Sequence, residues 1–461
     1  MKKHHLIFAS SVMFTILFYD QNLGLNLALF GLLLISLLVY NYRESLNSLT
    51  TKALLITSIL SCLAFAWYGD FPSFLALSLS LLSLQYKTQH AKLKIIQVFV
   101  VIIVNSFASL GRILMFSQWL PKQEVQGDFA KKLVAFVLIP LLFIGLFFGV
   151  YAFGSDLFSS VFSDYTLDVN VFQLIVIAVL GLYVSFSFWN FWVPDFCISF
   201  NSQLENEFES NSYDKSDTSL SWLDFDFQRK SGEITFVLLN ILLLFFIVTY
   251  NYEQFFEIQN RAQLSAATHE RVNAVIVSVL MAVGLILLYF RARFTFDATT
   301  NRLKILAKIW MVLNAILVLS AALKNMEYVH QFGLTYKRLG VFAFLILVFI
   351  SLLHTWLKIS LQKTNAYLFN HMVWYVYGVL LLCSFVNWGQ LITSYNLAVN
   401  KGVDPVFISR LEFNDSSRRD YLQENQLDGQ QPEMYREDEI KECQEQSFLS
   451  KVLYYETLQS N

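Results

Sequence analysis

The stretch ITFVLLNILLLFFIVTY, Ile234–Tyr250, runs for seventeen residues without a charge, and its one strongly polar side chain is Asn240. As a helix it would reach about 25 Å, most of the roughly 30 Å of hydrocarbon in a bilayer. Backbone N–H and C=O groups in hydrocarbon must be paired within the segment, so this stretch reads as a membrane-spanning helix. Comparable runs lie at Leu6–Tyr19, Leu23–Tyr40, Ala53–Trp67, Phe71–Leu84, Leu133–Phe153, Val171–Val193, Val272–Phe290, Ile305–Leu323, Leu339–Leu357 and Ala366–Ile392, giving eleven expected spans, the first four short.

Composition agrees. Of 461 residues 56% are hydrophobic and only 15% charged, against about 25% in soluble domains. A soluble globular chain is excluded, and the expected fold is all-α, a polytopic transmembrane helix bundle. The apolar stretch after Met1–His5 has no small-residue cleavage site and reads as a retained first span. With a net charge of −2 there is no field to draw nucleic acid. Cys62, Cys197, Cys383 and Cys443 have no CxxC spacing, so neither a disulfide framework nor a metal site is expected, and no cofactor.

Lys94–Leu120 decides the topology. Its first half is apolar, but Asn105, Ser106, Ser109, Arg112 and Gln118 interrupt the second. If it lies in the interface as an amphipathic helix, the clusters Lys2/Lys3, Arg43/Lys52, Lys87/Lys92/Lys94, Lys131/Lys132, Arg291/Arg293/Arg302/Lys304 and Lys358/Lys363 all face the cytoplasm, as basic loops should. The expected arrangement is N-in and C-out: a four-span segment 1–93, the interfacial piece 94–132, two spans in 133–194, an acidic cytoplasmic loop 195–232 expected to be disordered, five spans in 233–392, and an acidic periplasmic tail 393–461 with a small helical appendage.

Phosphate loops and a GxSxG elbow are not found in the sequence. His269-Glu270-Arg271-Val272-Asn273 lacks the second histidine that a zincin helix requires. Gly145 and Gly149 form a GxxxG that serves close packing within the chain or a dimer face. Asn190, Asn240 and Asn314 lie within spans, either bridging helices or lining a solvated path, and His354 reads as a packing histidine rather than a proton relay. On the outer face the topology gathers His269, Glu270, Lys324, Tyr328, Thr335, Arg338 and Asn387 at four helix ends. These residues are an ordinary rim of interfacial anchors or a ligand or partner site. Arg338, at a helix start where a cation is disfavoured, is expected to bond to Glu270 or Glu327, with Tyr328 or Asn387 completing its donors.

Phe18–Asn26 (FYDQNLGLN), Ile139–Leu142 (IPLL), Thr268–Asn273 (THERVN), Phe332–Gly340 (FGLTYKRLG) and Phe385–Trp388 (FVNW) resemble domain-of-unknown-function family 4173 and its relative 4153, with a spelling similar to members from Bacteroidota. The resemblance implies a bacterial inner-membrane helical protein and carries no activity. The residues are compatible with three functions: a non-enzymatic sensor or complex subunit meeting a membrane or periplasmic protein partner, which is the leading expectation; a transporter or flippase of a small or lipidic substrate; and an intramembrane enzyme using His269 and Glu270.

Overall fold

In the computed structural model, which describes residues 2–120, 136, 139–155, 170–208, 224–256, 261–290, 292–425 and 431–458, every regular element among the described residues is helical. Six helices are long and apolar enough to cross a membrane, and Lys3–Phe18, Leu25–Asn41, Gln97–Arg112 and Val275–Tyr289 are shorter apolar ones. The chain divides into two compact units, Met1–Ile198 with Glu437–Asn461, and Ser199–Arg436.

The first unit contains α1 (Lys3–Phe18), α2 (Leu25–Asn41), α3 (Leu49–Tyr68), α4 (Phe71–Gln89), α5 (Gln97–Arg112), α6 (Ile139–Gly154) and α7 (Val171–Trp189). Helices immersed in lipid gain little from burying apolar surface against one another, so close approach and dispersion hold them. α1 and α7 run antiparallel: Tyr19 Oη accepts from the Asn170 N–H at 2.7 Å, and Trp189 Nε1 donates to Ser10 Oγ at 3.0 Å. Between these points Gly181 lets Phe14 lie against the α7 backbone, where an added Cβ would sit 2.7 Å from the ring. α4 is serine-rich and faces inward with Ser73, Ser80 and Ser83, Ser80 Oγ lying 3.2 Å from Ser61 Oγ of α3. In α6, a Cβ on Gly145 would meet Ile175 of α7, whereas Gly149 has open space beside it.

α5 lies across the end of the unit rather than through it. Gln85 of α4 donates to the Phe188 carbonyl of α7 at 2.9 Å, which puts the C-terminal ends of α4 and α7 at one level. α5 stays at that level along its length. Gln97 at its start lies 3.5 Å from Tyr86 Oη, Asn105 exchanges hydrogen bonds with Trp192, and Arg112 donates to the Asn190 carbonyl at 2.9 Å. A helix of this length spans about 24 Å, so one running along the bundle axis could not reach all three. Gln97, Asn105 and Ser109 face the protein, while Phe99, Ile103, Phe107 and Leu110 face away.

The end of the chain returns to the opposite end of this unit. Leu25 N–H bonds the Lys451 carbonyl at 3.0 Å, Asn22 N–H bonds Ser450 Oγ at 2.9 Å, and Val452 covers Gly69. Lys3 and the docked tail therefore mark opposite ends of α1.

The second unit contains α8 (Phe225–Phe256), α9 (Arg261–Tyr289), α10 (Asn301–Phe332), α11 (Tyr336–Ser360), α12 (Asn365–Phe385), α13 (Trp388–Val399) and α14 (Asp415–Glu424). α10 is its hub, packed by α8, α9 and α11 around Phe236, Val279, Leu303, Met311, Leu317 and Leu352.

The structure corrects three expectations. The eleventh stretch is two helices: α12 ends at Phe385, Asn387 adopts φ −73° and ψ 86°, and its side chain caps α13 by accepting from the Gln390 N–H at 2.9 Å. The ninth stretch does not end at Leu323, because α10 continues to Phe332. The loop 195–232 is not wholly without structure. Phe225–Gly232 opens α8, where Arg229 pairs with Asp226 and Glu233 at helical spacing, and 201–208 is tied to the start of α12 through Asn370 and Thr364. The loop's middle, 209–223, and the interfacial piece beyond 120 lie outside the described residues.

Candidate functional site

The residues 324–338, expected on the outer face, form a corner between two helices. Gly333, with φ +83°, ends α10; a side chain there would strike the Lys401 carbonyl at 2.6 Å. Thr335 caps α11, its Oγ1 accepting from the Arg338 N–H at 3.4 Å. Lys324, buried in α10, pairs with Glu327 at 3.1 Å, and Gln331 donates to the same carboxylate at 3.3 Å. The Arg338 guanidinium stacks 4.1 Å from the Tyr328 ring centroid and donates to the Gly333 carbonyl. The expected bond to Glu327 is not made, because that carboxylate is held on its own helix one turn from Lys324; an aromatic face and a carbonyl hold the cation instead. Asn387 does not reach Arg338 either, since its Nδ2 donates to the Phe413 carbonyl at 2.8 Å. His269 and Glu270 belong to α9, and their side chains lie outside the described residues.

The three asparagines have different roles. Asn240 Nδ2 donates to the Leu306 carbonyl at 3.1 Å and bridges α8 to α10. Asn314 is buried and donates within its own helix, to the Trp310 carbonyl at 2.8 Å. Asn190 lies beyond the helix: α7 ends at Trp189 with Asn190 as its C-cap, and the Asn190 carbonyl accepts from Arg112 at 2.9 Å. His354 is a packed histidine, its Nε2 3.1 Å from Tyr375 Oη and its ring stacked 4.9 Å from that of His371.

Open space lies in the first unit. Beneath α5 is a cavity of about 360 Å³ walled by α1, α2, α4, α5 and α7, a size ordinary for a small-ligand site. Its walls are mainly apolar. Near α5, Gln85, Tyr86, Asn105, Ser106, Tyr183 and Ser187 are interspersed with Val98, Val101, Ile102 and Phe191; deeper in stand Phe14, Leu27, Phe30, Phe74 and Leu77, with Ser78 among them. Among the described residues that line it there is no lysine, arginine, histidine, aspartate or glutamate. Gln85, 1% exposed, is half-used: its Nε2 holds the Phe188 carbonyl and its Oε1 has no partner. Ser187 Oγ is likewise without one.

Outside the cavity, cations gather at the same level. Lys87 donates to the carbonyls of Ala91 and Leu93, both at 2.7 Å, and Lys3 reaches Gln89 Oε1 at 3.4 Å. Burial and then the charge of Lys3 hold the His90 imidazole below its ordinary range. At this level the cations are held by carbonyls and an amide.

Sequence reading did not single out Gln85, since the fourth apolar run stops at Leu84. The available signal was on α5: Gln97, Asn105 and Ser109 fall on one helical face opposite Phe99, Ile103, Phe107 and Leu110, which marks a helix wet toward its protein and dry toward its surroundings.

A helical membrane-like bundle with this architecture matches one family model, Domain of unknown function (DUF4153), over residues 6–417. The chain belongs to that family, the second of the two its motifs resemble. No curated protein matches it, and no solved structure does.

Proposed function

We propose that this chain is a non-enzymatic integral membrane protein that takes a single lipid chain into the cavity beneath α5, carrying or sensing it there. The carrying observation is a mainly apolar cavity whose amides and most of whose hydroxyls gather at the α5 end, a lining suited to one lipid chain with its head toward α5. α5 lies in the inner interface with its dry face to hydrocarbon, the N-terminus is cytoplasmic and the docked tail periplasmic, in a bacterial inner membrane crossed eleven times. The opposed positions of Lys3 and the tail along α1 support that parity, and the cations at the α5 level support the side. The leading expectation from sequence, a polar outer-face site, loses ground because the polar groups at 324–338 bond one another. The lipidic alternative gains it.

The test pairs two adjacent positions of α5. Ile102 lines the cavity and Ile103 is exposed on the other side. Protein purified in mild detergent is expected to retain lipid by native mass spectrometry; Ile102→Trp, which fills the cavity, should lose it and Ile103→Trp should keep it. Equal retention by both variants would refute the proposal.

A further inference from the structure

We infer that Lys3, His90 and Arg112 form a site for the phosphate of an anionic phospholipid whose chains lie against the outer face of α5; this goes beyond the cavity reading and does not depend on it. The three residues come from three segments and meet around the turn that follows α7. Arg112, the last residue of α5, donates to the Asn190 carbonyl at 2.9 Å. The His90 ring stands edge-on to that of Phe191, with 5.6 Å between centroids. Lys3, at the start of α1, reaches Oε1 of Gln89, the residue before His90, at 3.4 Å. Burial and then the charge of Arg112 hold the Lys3 ammonium below its ordinary range, as burial and then Lys3 do for His90, so each feels the next. Among the described residues, Lys3 and Arg112 bond to neutral groups, an amide oxygen and a carbonyl. Cations gathered in this way repel one another, and an anion set among them relieves the repulsion.

The surroundings of Arg112 favour a phosphate that carries hydrocarbon over a free one. Phe107 and Leu110 precede it on α5, Leu114 and Met115 follow it, and all four are exposed. Basic groups at the end of a helix with a dry outer face are the pattern of an in-plane helix that meets anionic lipid. A phosphate without chains would satisfy the cations and leave that apolar stretch bare. The guanidinium is also suited to the task. Its fork carries five N–H donors, and the bond from Nη1 to Asn190 holds it in place while the remaining nitrogens face a phosphate's oxygens. Lys87 is not part of the site, because its ammonium is held by the Ala91 and Leu93 carbonyls, both at 2.7 Å.

A lipid at the surface exchanges with detergent, so titration rather than retention reads this site. The full chain, delipidated in mild detergent, is titrated with radiolabelled dioleoyl phosphatidylglycerol and with dioleoyl phosphatidylcholine, and glycerol 3-phosphate is added as a competitor. Phosphatidylglycerol is expected to saturate, phosphatidylcholine to bind about 10-fold more weakly, and glycerol 3-phosphate to displace neither. Arg112→Gln should weaken phosphatidylglycerol about 5-fold, as loss of one cation beside an anionic head implies, and leave phosphatidylcholine unchanged. Lys52→Gln removes a charge at the same level, because Ser61 of α3 faces Ser80 of α4 and Lys52 precedes the one by as many residues as Gln89 follows the other; it should change neither lipid. Where Arg112→Gln fails to fold, Lys3→Gln, at an exposed position, should show the same selective loss. Equal affinity for the two lipids overturns the inference, as does equal loss from the site variant and Lys52→Gln, which reduces the effect to surface charge. Displacement by glycerol 3-phosphate makes a soluble phosphate the ligand and overturns it too. Ile102→Trp should leave phosphatidylglycerol affinity unchanged; if it abolishes binding while the site variants do not, the lipid belongs to the cavity and this site is refuted. Should Ile102→Trp and Ile103→Trp retain lipid alike, the cavity reading fails and the titration still decides this one.

Discussion

Two buried amides, Asn396 in the second unit and Gln85 in the first, are chemically alike and differ in what surrounds them. Asn396 Oδ1 accepts from the Leu334 N–H at 2.6 Å and its Nδ2 donates back to the Leu334 carbonyl at 3.0 Å, so the side chain pairs with a turn as a strand would. Asn414 nearby donates to Thr393 Oγ1 and to the Ile408 carbonyl, and Asp415 pairs with Arg418 and Arg436. Gln85 makes one bond, to the Phe188 carbonyl, and its oxygen is buried without a partner although the residue lines the cavity. The lesson is that polar residues at helix ends locate the joints of a membrane protein, and that Gln85 is set apart by the cavity it lines rather than by its unpaired oxygen, which the Oδ1 atoms of Asn240, Asn314, Asn370 and Asn414 share.

The largest effect that tests this contrast is expected at Asn396. Asn396→Leu leaves a buried N–H and C=O of Leu334 unpaired, at about 1–3 kcal/mol each. The measurement is thermal unfolding in detergent, with a drop in melting temperature or outright loss of folded material expected. Gln85→Met in the same assay should cost less than Asn396→Leu, since it orphans one group, the Phe188 carbonyl, rather than two. If both variants melt alike, the distinction between joint and site is wrong.

The next effect is at the α1–α7 seam. Gly181→Val places a branched side chain where even a Cβ comes within 2.7 Å of Phe14, and overpacking of this kind costs about 1–3 kcal/mol. Phe14 is also a cavity wall, so this variant should weaken lipid retention as well as stability. Loss of stability with unchanged retention would separate the seam from the cavity.

Arg338 gives a smaller effect and revises the half of an expectation that named Glu327, the side chain of Glu270 lying outside the described residues. Bidentate pairing with a carboxylate would make Arg338→Lys nearly as damaging as Arg338→Ala. With the guanidinium on the Tyr328 ring and the Gly333 carbonyl, lysine keeps the charge and a donor and loses only the planar stack. Arg338→Lys should therefore fall between the native protein and Arg338→Ala, which is expected to lose about 1–2 kcal/mol from the cation–π contact and the hydrogen bond together. Indistinguishable melting of the two variants would restore a carboxylate partner.

These cases separate the legible parts of the sequence from the rest. Uncharged runs such as Ile234–Tyr250 specify helices because hydrocarbon forbids unpaired backbone, and α8 duly contains that run. Helix ends were less legible. Hydropathy falls at Lys324 although the helix continues to Phe332, since a charge paired one turn away at Glu327 costs the helix little. It does not fall at Asn387, although the chain breaks there, because the break is made by a side-chain cap among apolar neighbours. Lys324, Tyr328, Thr335 and Arg338 share one corner between α10 and α11, but their bonding depends on rotamers that spacing does not encode. The cavity was invisible, because the helices that line it are brought together by contacts as distant in sequence as Gln85 to Phe188.

The smallest effect is expected at the start of α12, where an ion pair sits beside the part-buried hydrogen bonds of Asn370. Lys363 pairs with Glu207 at 2.6 Å, and its hydrogen bond and charge hold the Glu207 carboxyl below the usual range. A carboxylate whose folded pKa is depressed stabilises above its unfolded value of 4.5 and loses that contribution as pH falls through the lower, folded value. The pair is exposed and screened, so the contribution is small. The segment is held instead by Asn370, which donates to the Leu204 carbonyl and to Asn206 Oδ1, and by Thr364, which donates to the Glu205 carbonyl at 2.6 Å. Lys363→Met should leave limited proteolysis of residues 201–208 unchanged at neutral pH and merely remove a slight increase in cleavage as the medium is acidified below the ordinary carboxylate range. Asn370→Leu should open the segment to protease at every pH, because it orphans the Leu204 carbonyl that the side chain now satisfies. Should Lys363→Met instead release the segment at neutral pH, the ion pair rather than the amide holds it, and the rule that buried amides make the joints of this protein would fail at its most exposed example.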